Sequence, residues 1–174
     1  MKPIMPISVA ISTRNRATAL ARCLEALAHG TAWPAEVVIV DQSSDDHTRH
    51  LATQWQPGLP ITYIHQQGNG LGRAQNLAIA NSTQPIVAVT DDDCVPTPEW
   101  LAMIMRAFEP GQQIVAVTGR VLPLGPPQAG RYPVASRTGT ARIDFDRRAM
   151  PWSIGSGNNF AVKREWLLRI GSNN

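Results

Sequence analysis

The sequence predicts an α/β protein, an α/β/α sandwich around a doubly wound, mostly parallel central sheet. Three observations predict it. Short apolar, β-branched runs at residues 7–11, 36–40, 61–64 and 87–90 alternate with amphipathic helical stretches. Polar or glycine-rich residues stand just past the ends of these runs, where open α/β sheets bind their ligands. The 174 residues suffice for a single domain with a substantial core, and no fixed-period repeat or low-complexity tract interrupts it.

Each element has its own signal. The first strand ends in the polar turn Ser12, Thr13, Arg14, Asn15 and Arg16. Thr18 is placed to cap a helix that carries Leu20, Cys23, Leu24 and Leu27 on one stripe, stopped by Gly30 and Pro34. The second strand runs into Asp41, Gln42, Ser43 and Ser44, and Asp45 can cap a helix through Thr48, Leu51 and Trp55. Pro57 and Gly58 break that helix before the third strand. Gly68, Gly70 and Gly72 form a loop that opens a helix over residues 73–81. The fourth strand follows, and then Thr97, Pro98 and Glu99 supply a cap, a first-turn proline and a first-turn acid for a helix through Phe108. Residues 113–118 read as a fifth strand. Residues 121–150 read as a loop excursion, which in a compact domain is functional or mobile. A glycine- and asparagine-rich stretch at 154–162 and a short helix over 163–170 complete the chain.

Composition narrows the function. The formal net charge is +3 and the pI near 9.3, which favours anionic partners such as phosphates or a lipid surface. No dense Lys/Arg run of the kind that binds nucleic acid is present. Cys23 and Cys94 are too few and too far apart for a disulfide framework or a zinc knuckle. Cys23 is expected in the core, and Cys94 either fills space or lines the site. The four histidines, at 29, 47, 50 and 65, lack metal-ligand spacing. The N-terminus lacks the pattern of a secretory signal, no run is long enough to span a bilayer, and the chain is expected to be cytoplasmic.

The chemistry concentrates at Asp91, Asp92 and Asp93, directly after the apolar fourth strand. Three adjacent carboxylates repel one another and resist desolvation, so a cation is expected among them. In an extended segment Asp91 and Asp93 point to the same side with Cα atoms about 6.5–7 Å apart, a spacing suited to a shared hard divalent ion. A solvated turn is the alternative. Ser12, Thr13, Asp41 and the three aspartates should converge at one sheet edge. Asp41 could accept hydrogen bonds from a ribose or a base, or cap its own turn. The glycine loop could bring backbone N–H groups to a phosphate, although no Gly-Lys-Ser/Thr follows it. Arg14, Arg16 and Arg73 are either phosphate or base contacts or solvated surface cations. Trp152, beside the Gly155–Asn159 loop, could stack on a sugar ring.

Taken together, these motifs resemble the N-terminal part of a family 2 glycosyltransferase of the GT-A fold. The opening strand with Ser12, Thr13, Arg14, Asn15 and Arg16 resembles the family's first strand and its polar turn. Val37 to Asp46 resembles the second strand, with Asp41 as the aspartate that meets the nucleotide, and Asn69 to Ala80 the helix that follows. Val89 to Pro96 with Trp100 and Leu101 resembles the Asp-x-Asp motif, and Gly155 to Arg164 the loop and strand beside the donor sugar. The resemblance implies a nucleotide-diphosphate sugar donor contacted by Ser12, Thr13, Arg14, Asp41, Arg73, Asp91 and Asp92. It implies Mn²⁺ or Mg²⁺ on Asp93 with Asp91, inversion at the anomeric carbon, and a carbohydrate or lipid-linked acceptor of the kind used in cell-envelope polysaccharides. Peripheral membrane association is compatible with it.

Three departures accompany the resemblance. Arg14 stands where the family often has an aromatic residue, and Gln75 where it often has Arg. The family's catalytic carboxylate follows the helix that begins near Lys163, in an acidic segment not found here, so the base is expected beyond Asn174. The 174-residue chain is therefore expected to bind nucleotide and cation but to turn over poorly. Two rivals are a sugar-phosphate nucleotidyltransferase and a non-catalytic nucleotide-binding or interaction module. The former would be expected to carry a glycine-rich basic loop near the first strand, and Ser12 to Arg16 contains no glycine.

Overall fold

The computed structural model describes residues 2–68, 70–111, 113–125, 136–145 and 154–170. Its sheet has six strands in the order β3-β2-β1-β4-β6-β5. The parallel part is formed by β1 (Ile4–Thr13), β2 (Trp33–Asp41), β3 (Ile61–His65) and β4 (Ile86–Asp91). β6 (Asn159–Lys163) runs antiparallel to β4, and β5 (Ala116–Thr118) antiparallel to β6 at the edge. The predicted fifth strand is thus reduced to its last three residues and does not lie beside β4. The chain returns from the 121–150 region to insert β6 between them.

Alternation along each strand divides the core. Ile7, Val9 and Ile11 with Ile39 and Ala88 face α1 (Ala17–His29), whose Leu20, Cys23, Leu24 and Leu27 are buried against them. α2 (His47–Trp55) and α4 (Trp100–Ala107) add Ala52, Leu101 and Ile104 to the same layer. On the other face Ala10, Val38, Val40, Val87 and Val89 meet Ala74 and Ala78 of α3 (Leu71–Asn81) and Leu167 of α5 (Arg164–Ile170). Small alanines on α3 let that helix lie close to a sheet face already filled by valines. Full burial of these side chains supplies about 1.5–3 kcal/mol for each Val, Leu or Ile. Cys23 is a core residue, as its helical position predicts.

The helix starts differ from the sequence reading. Arg16, not Thr18, is the cap residue of α1, and no side chain caps the helix. Its carbonyl accepts the first bonds, from Ala19 and Leu20. At α2 the cap position belongs to Asp46, while Asp45 Oδ1 accepts from the His47 N–H at 3.1 Å. α3 begins at Leu71, two residues early, because Gly70 at φ 148° makes the turn into it. Thr97, Pro98 and Glu99 form a turn ahead of α4 instead of its first turn, closed by the Trp100 N–H on the Thr97 carbonyl at 3.0 Å. Pro34 does not end a helix; it lies in β2, opposite Met5.

Candidate functional site

Parallel pairing carries three polar strand ends to one edge of the sheet. Thr13 pairs with Asp41 and Ser12 with Asp91 across neighbouring strands. This convergence follows from strand order alone, since β1 lies between β2 and β4.

The acidic triplet is split between environments. β4 stops at Asp91, and the chain turns at once, with the Cys94 N–H reaching the Asp91 carbonyl at 3.2 Å. The extended geometry expected for Asp91 and Asp93 is therefore replaced by a turn. Asp92 points inward and is 3% exposed. It accepts from Thr13 Oγ1 at 2.7 Å and pairs with Arg16 Nη1 at 3.2 Å. Asp93 is half-exposed and takes Arg16 Nη2 at 2.7 Å. Asp91 is half-buried, and its carboxylate accepts no hydrogen bond among the described residues. Ser12 Oγ, in the adjacent strand position, is buried without a partner among those residues.

Burial raises the pKa of Asp91, and repulsion from Asp93 and Asp92 raises it further. Burial also raises that of Asp92, against the opposing pull of Thr13 and Arg16. The charged form of Asp91 is thus less favourable in the fold than in water. Its contribution to stability is greatest below about pH 4 and is lost as pH rises through the raised value. Asp91→Asn should stabilise the metal-free protein by about 0.5 kcal/mol at pH 8, a small figure because solvent screens the half-exposed group. The gain should vanish near pH 4, and thermal melts of both proteins across that range check it.

At the end of β2, Asp41 is fully buried. Its Oδ1 accepts from the Ser43 N–H at 2.8 Å and from the Ser43 hydroxyl, and its Oδ2 from the Tyr63 hydroxyl at 2.7 Å. Burial, with the hydrogen bond to Asp41 second, pushes Tyr63 up to about 12. Ser43 also binds the turn after β1, taking the Asn15 N–H on Oγ at 2.7 Å, while Asn15 Oδ1 receives the Ser44 N–H at 3.0 Å. Asn15 has φ 53°, a left-handed conformation that asparagine tolerates, and this turn delivers Arg16 to the aspartates.

The glycine loop is tied to the same edge through Gln42. Its Oε1 accepts the Gly70 N–H at 3.0 Å and its Nε2 donates to Gln66 Oε1 at 2.7 Å. Gly68 at φ 116° and Gly70 at φ 148° occupy backbone conformations that other residues rarely adopt. On the far side Trp100 Nε1 donates to Asn159 Oδ1 at 2.9 Å, joining the start of α4 to the start of β6.

Of the residues predicted to form the site, Ser12, Thr13, Asp41, Asp91, Asp92 and Asp93 lie together along this edge. Arg14 and Arg73 are exposed, Arg14 in the first turn and Arg73 at the head of α3, without a polar partner among the described residues. Trp152 lies outside the described residues. Sequence reasoning did not select Tyr63 or Gln42, and it read Arg16 as a phosphate contact or a surface cation, not as the partner of the aspartates. For Arg16 the signal was available, because three adjacent carboxylates call for a cation and Arg16 follows the neighbouring strand.

The described residues contain no group of three or more His, Cys, Asp or Glu side chains arranged to hold a metal ion by themselves. The donor set nevertheless fits a hard cation that draws its remaining ligands from a bound anion and water. It offers an unbonded half-buried carboxylate, Asp91, and a half-exposed one, Asp93, whose partner is a positive charge.

The profile of "Glycosyl transferase family 2" matches residues 8–171. The chain belongs to this family. Among curated relatives, the glycosyltransferase AglE of Haloferax volcanii is 33% identical over 95% of this chain and 55% of its own length. An uncharacterized glycosyltransferase of Nostoc sp. is 38% identical over 60% of the chain and 33% of the relative. The family 2 chain thus spans about a third to a half of these relatives' length. Among solved structures, the mannosyltransferase PcManGT of Pyrobaculum calidifontis, in complex with GDP-Man and Mn²⁺, superposes with a TM-score of 0.67 at 22% identity. It covers all of this chain and 48% of its own. S. aureus TarS 1–349 in complex with UDP-GlcNAc gives 0.65 at 20% identity, over 95% of this chain and 47% of that one. These likenesses establish the GT-A, Rossmann-like fold of the family 2 chain with a mostly parallel sheet, as the sequence predicted; the sheet has six strands.

Proposed function

We propose that this chain is the donor-binding part of an inverting, metal-assisted glycosyltransferase that takes a sugar from a nucleotide diphosphate to an acceptor hydroxyl. The observation that carries the reading is the placement of Asp91, Asp92 and Asp93 at the carboxyl end of β4, in register with Ser12 and bonded to Thr13. Ligands of open α/β sheets bind at such strand ends. The bound GDP-Man with Mn²⁺ in PcManGT and UDP-GlcNAc in TarS support a nucleotide sugar as the class of donor.

In this reading Asp93, with Asp91, holds Mn²⁺ or Mg²⁺, which when bound neutralises charge on the departing diphosphate. Ser12, Thr13, Asp41 and the glycine loop held by Gln42 bound the crevice for the nucleoside. Arg14 and Arg73, both exposed, are free to swing onto phosphate or base. Transfer with inversion also needs a carboxylate that takes the acceptor's proton. Asp144 is exposed and paired with Arg142, and it has no bond to the strand-edge residues. Calorimetry with UDP, dTDP and GDP, with and without Mn²⁺, tests the reading. Metal-dependent binding of at least one supports it. Absence of all binding would leave an interaction module instead, and pyrophosphate release from a nucleoside triphosphate would favour the nucleotidyltransferase.

Peripheral attachment to an anionic membrane belongs to the same proposal. Nine of the sixteen Lys and Arg residues but only three of the thirteen Asp and Glu residues follow Gln113. The same part of the chain exposes Leu122, Leu124, Ile143, Phe145 and Leu168. No described helix is long and apolar enough to cross a membrane. Co-sedimentation with phosphatidylglycerol vesicles, and none with phosphatidylcholine, is the expected result.

A further inference from the structure

Arg16 is the cation that touches the acidic triplet among the described residues, and it does so with both arms of its fork. Nη1 meets Asp92 Oδ1 at 3.2 Å and Nη2 meets Asp93 Oδ2 at 2.7 Å. The two contacts are unequal. Asp92 is buried and keeps a second partner in Thr13, whereas Asp93 is half-exposed and has no other partner among the described residues. The Arg16 side chain is itself half-exposed, so its pair with Asp93 is the kind that costs little to open. A guanidinium fork also matches the oxygens of a diphosphate as well as it matches a carboxylate.

We propose that Arg16 is an exchangeable counter-ion: it holds Asp93 when no divalent cation is present, yields Asp93 to the cation, and transfers its fork to the incoming diphosphate. The inference rests on the reading of this edge as a nucleotide and metal site. Its physical basis is that a divalent cation on Asp93 competes with Nη2 for the same oxygen and repels the guanidinium. Metal alone then binds weakly, because it must open the ion pair with nothing to receive the displaced charge. A diphosphate supplies that receiver, so Arg16 couples the two ligands, and by linkage the coupling is the same seen from either one. In this role Arg16 is a positioning residue.

The test is a coupling measurement on the whole chain. Mn²⁺ affinity is read from the free-ion electron paramagnetic resonance signal, with and without saturating UDP and then GDP, for the natural protein and Arg16→Gln. Arg16→Gln should bind Mn²⁺ alone about tenfold more tightly, as expected for removing one positive charge close to a divalent ion in a solvated site. The ratio of Mn²⁺ affinities with and without nucleotide should shrink by about 100-fold. A merely structural Arg16 would instead weaken both affinities together and leave the ratio unchanged, and that result overturns the proposal. If the natural protein binds Mn²⁺ cooperatively with nucleotide but the ratio survives in Arg16→Gln, only this inference falls. If the natural protein binds no Mn²⁺, the site reading falls with it.

Should Arg16→Gln fail to fold, the natural protein still decides. The Arg16 side-chain Nε–H resonance, assigned by its loss in Arg16→Lys, should move on addition of Mg²⁺ alone and again on addition of UDP or GDP. A resonance that stays put through both additions refutes the exchange.

Discussion

Asp93→Ala should remove the metal-dependent part of nucleotide binding while leaving the fold intact. The side chain is half-exposed, and its ion pair with Arg16 is solvent-screened, so its loss costs at most about 1 kcal/mol of stability. Binding is another matter. Truncating one member of a charged contact within a ligand site costs about 2–5 kcal/mol, and each 1.4 kcal/mol is tenfold in affinity. In Mn²⁺ the affinity for UDP or GDP should fall at least about 100-fold, to the level seen without metal. Metal-free affinity should change by no more than about threefold, since Arg16 remains available to the diphosphate. Calorimetry on both proteins gives the four constants. An undiminished Mn²⁺ effect in Asp93→Ala would show that the cation, if one binds, sits elsewhere.

The parallel core was legible in the sequence because its strands are buried on both faces and so spell unbroken apolar runs. Val37 to Val40 and Val87 to Val89 are nearly or fully buried. The polar strand ends were legible for the same reason, as the points where those runs stop. What did not read out depends on partners far along the chain. β5 and β6 pair antiparallel across a forty-residue excursion, and nothing local in Ala116 to Thr118 reveals that partner. Helix starts were misplaced because Thr18 and Thr97 are competent caps, yet the entering backbone puts Arg16 and Glu99 at the boundary. Arg16 itself illustrates the limit. Its polar turn marks it as a possible phosphate contact and the acidic triplet calls for a cation, but joining the two requires the β1–β4 pairing that brings aspartates more than seventy positions away beside it. Asp41 shows the converse. Its turn-capping role was one of two local readings, and the structure shows the hydrogen bonds to Ser43, but Tyr63 arrives from β3 and could not be inferred from spacing.

Asp41→Ala should be the most damaging single change at this edge, acting on the fold before it acts on the ligand. The carboxylate is wholly buried and accepts three hydrogen bonds, two from Ser43 and one from Tyr63. Alanine leaves the buried Ser43 donors and the part-buried Tyr63 hydroxyl without this acceptor, and hydrogen bonds to a charged acceptor contribute about 1.5–3 kcal/mol each. Part of this is recovered, because the Ser43 hydroxyl can turn to Thr48 Oγ1, 3.2 Å away. The expected loss is about 3–5 kcal/mol, a large fraction of the 5–15 kcal/mol typical of a domain. Tyr63→Phe deletes one donor and should cost about 1–2 kcal/mol. The exposed Asp46→Ala should cost under about 1 kcal/mol. Urea titrations at pH 7 rank the three. The ordering matters for function because Ser43 grips Asn15, and Asn15 sets the turn that presents Arg16 to Asp92 and Asp93. A loosened Ser43 therefore reaches the acidic edge through Asn15 and the adjacent Arg16. Equal losses for Asp41→Ala and Asp46→Ala would mean that Asp41 supports neither the strand end nor the turn beyond it.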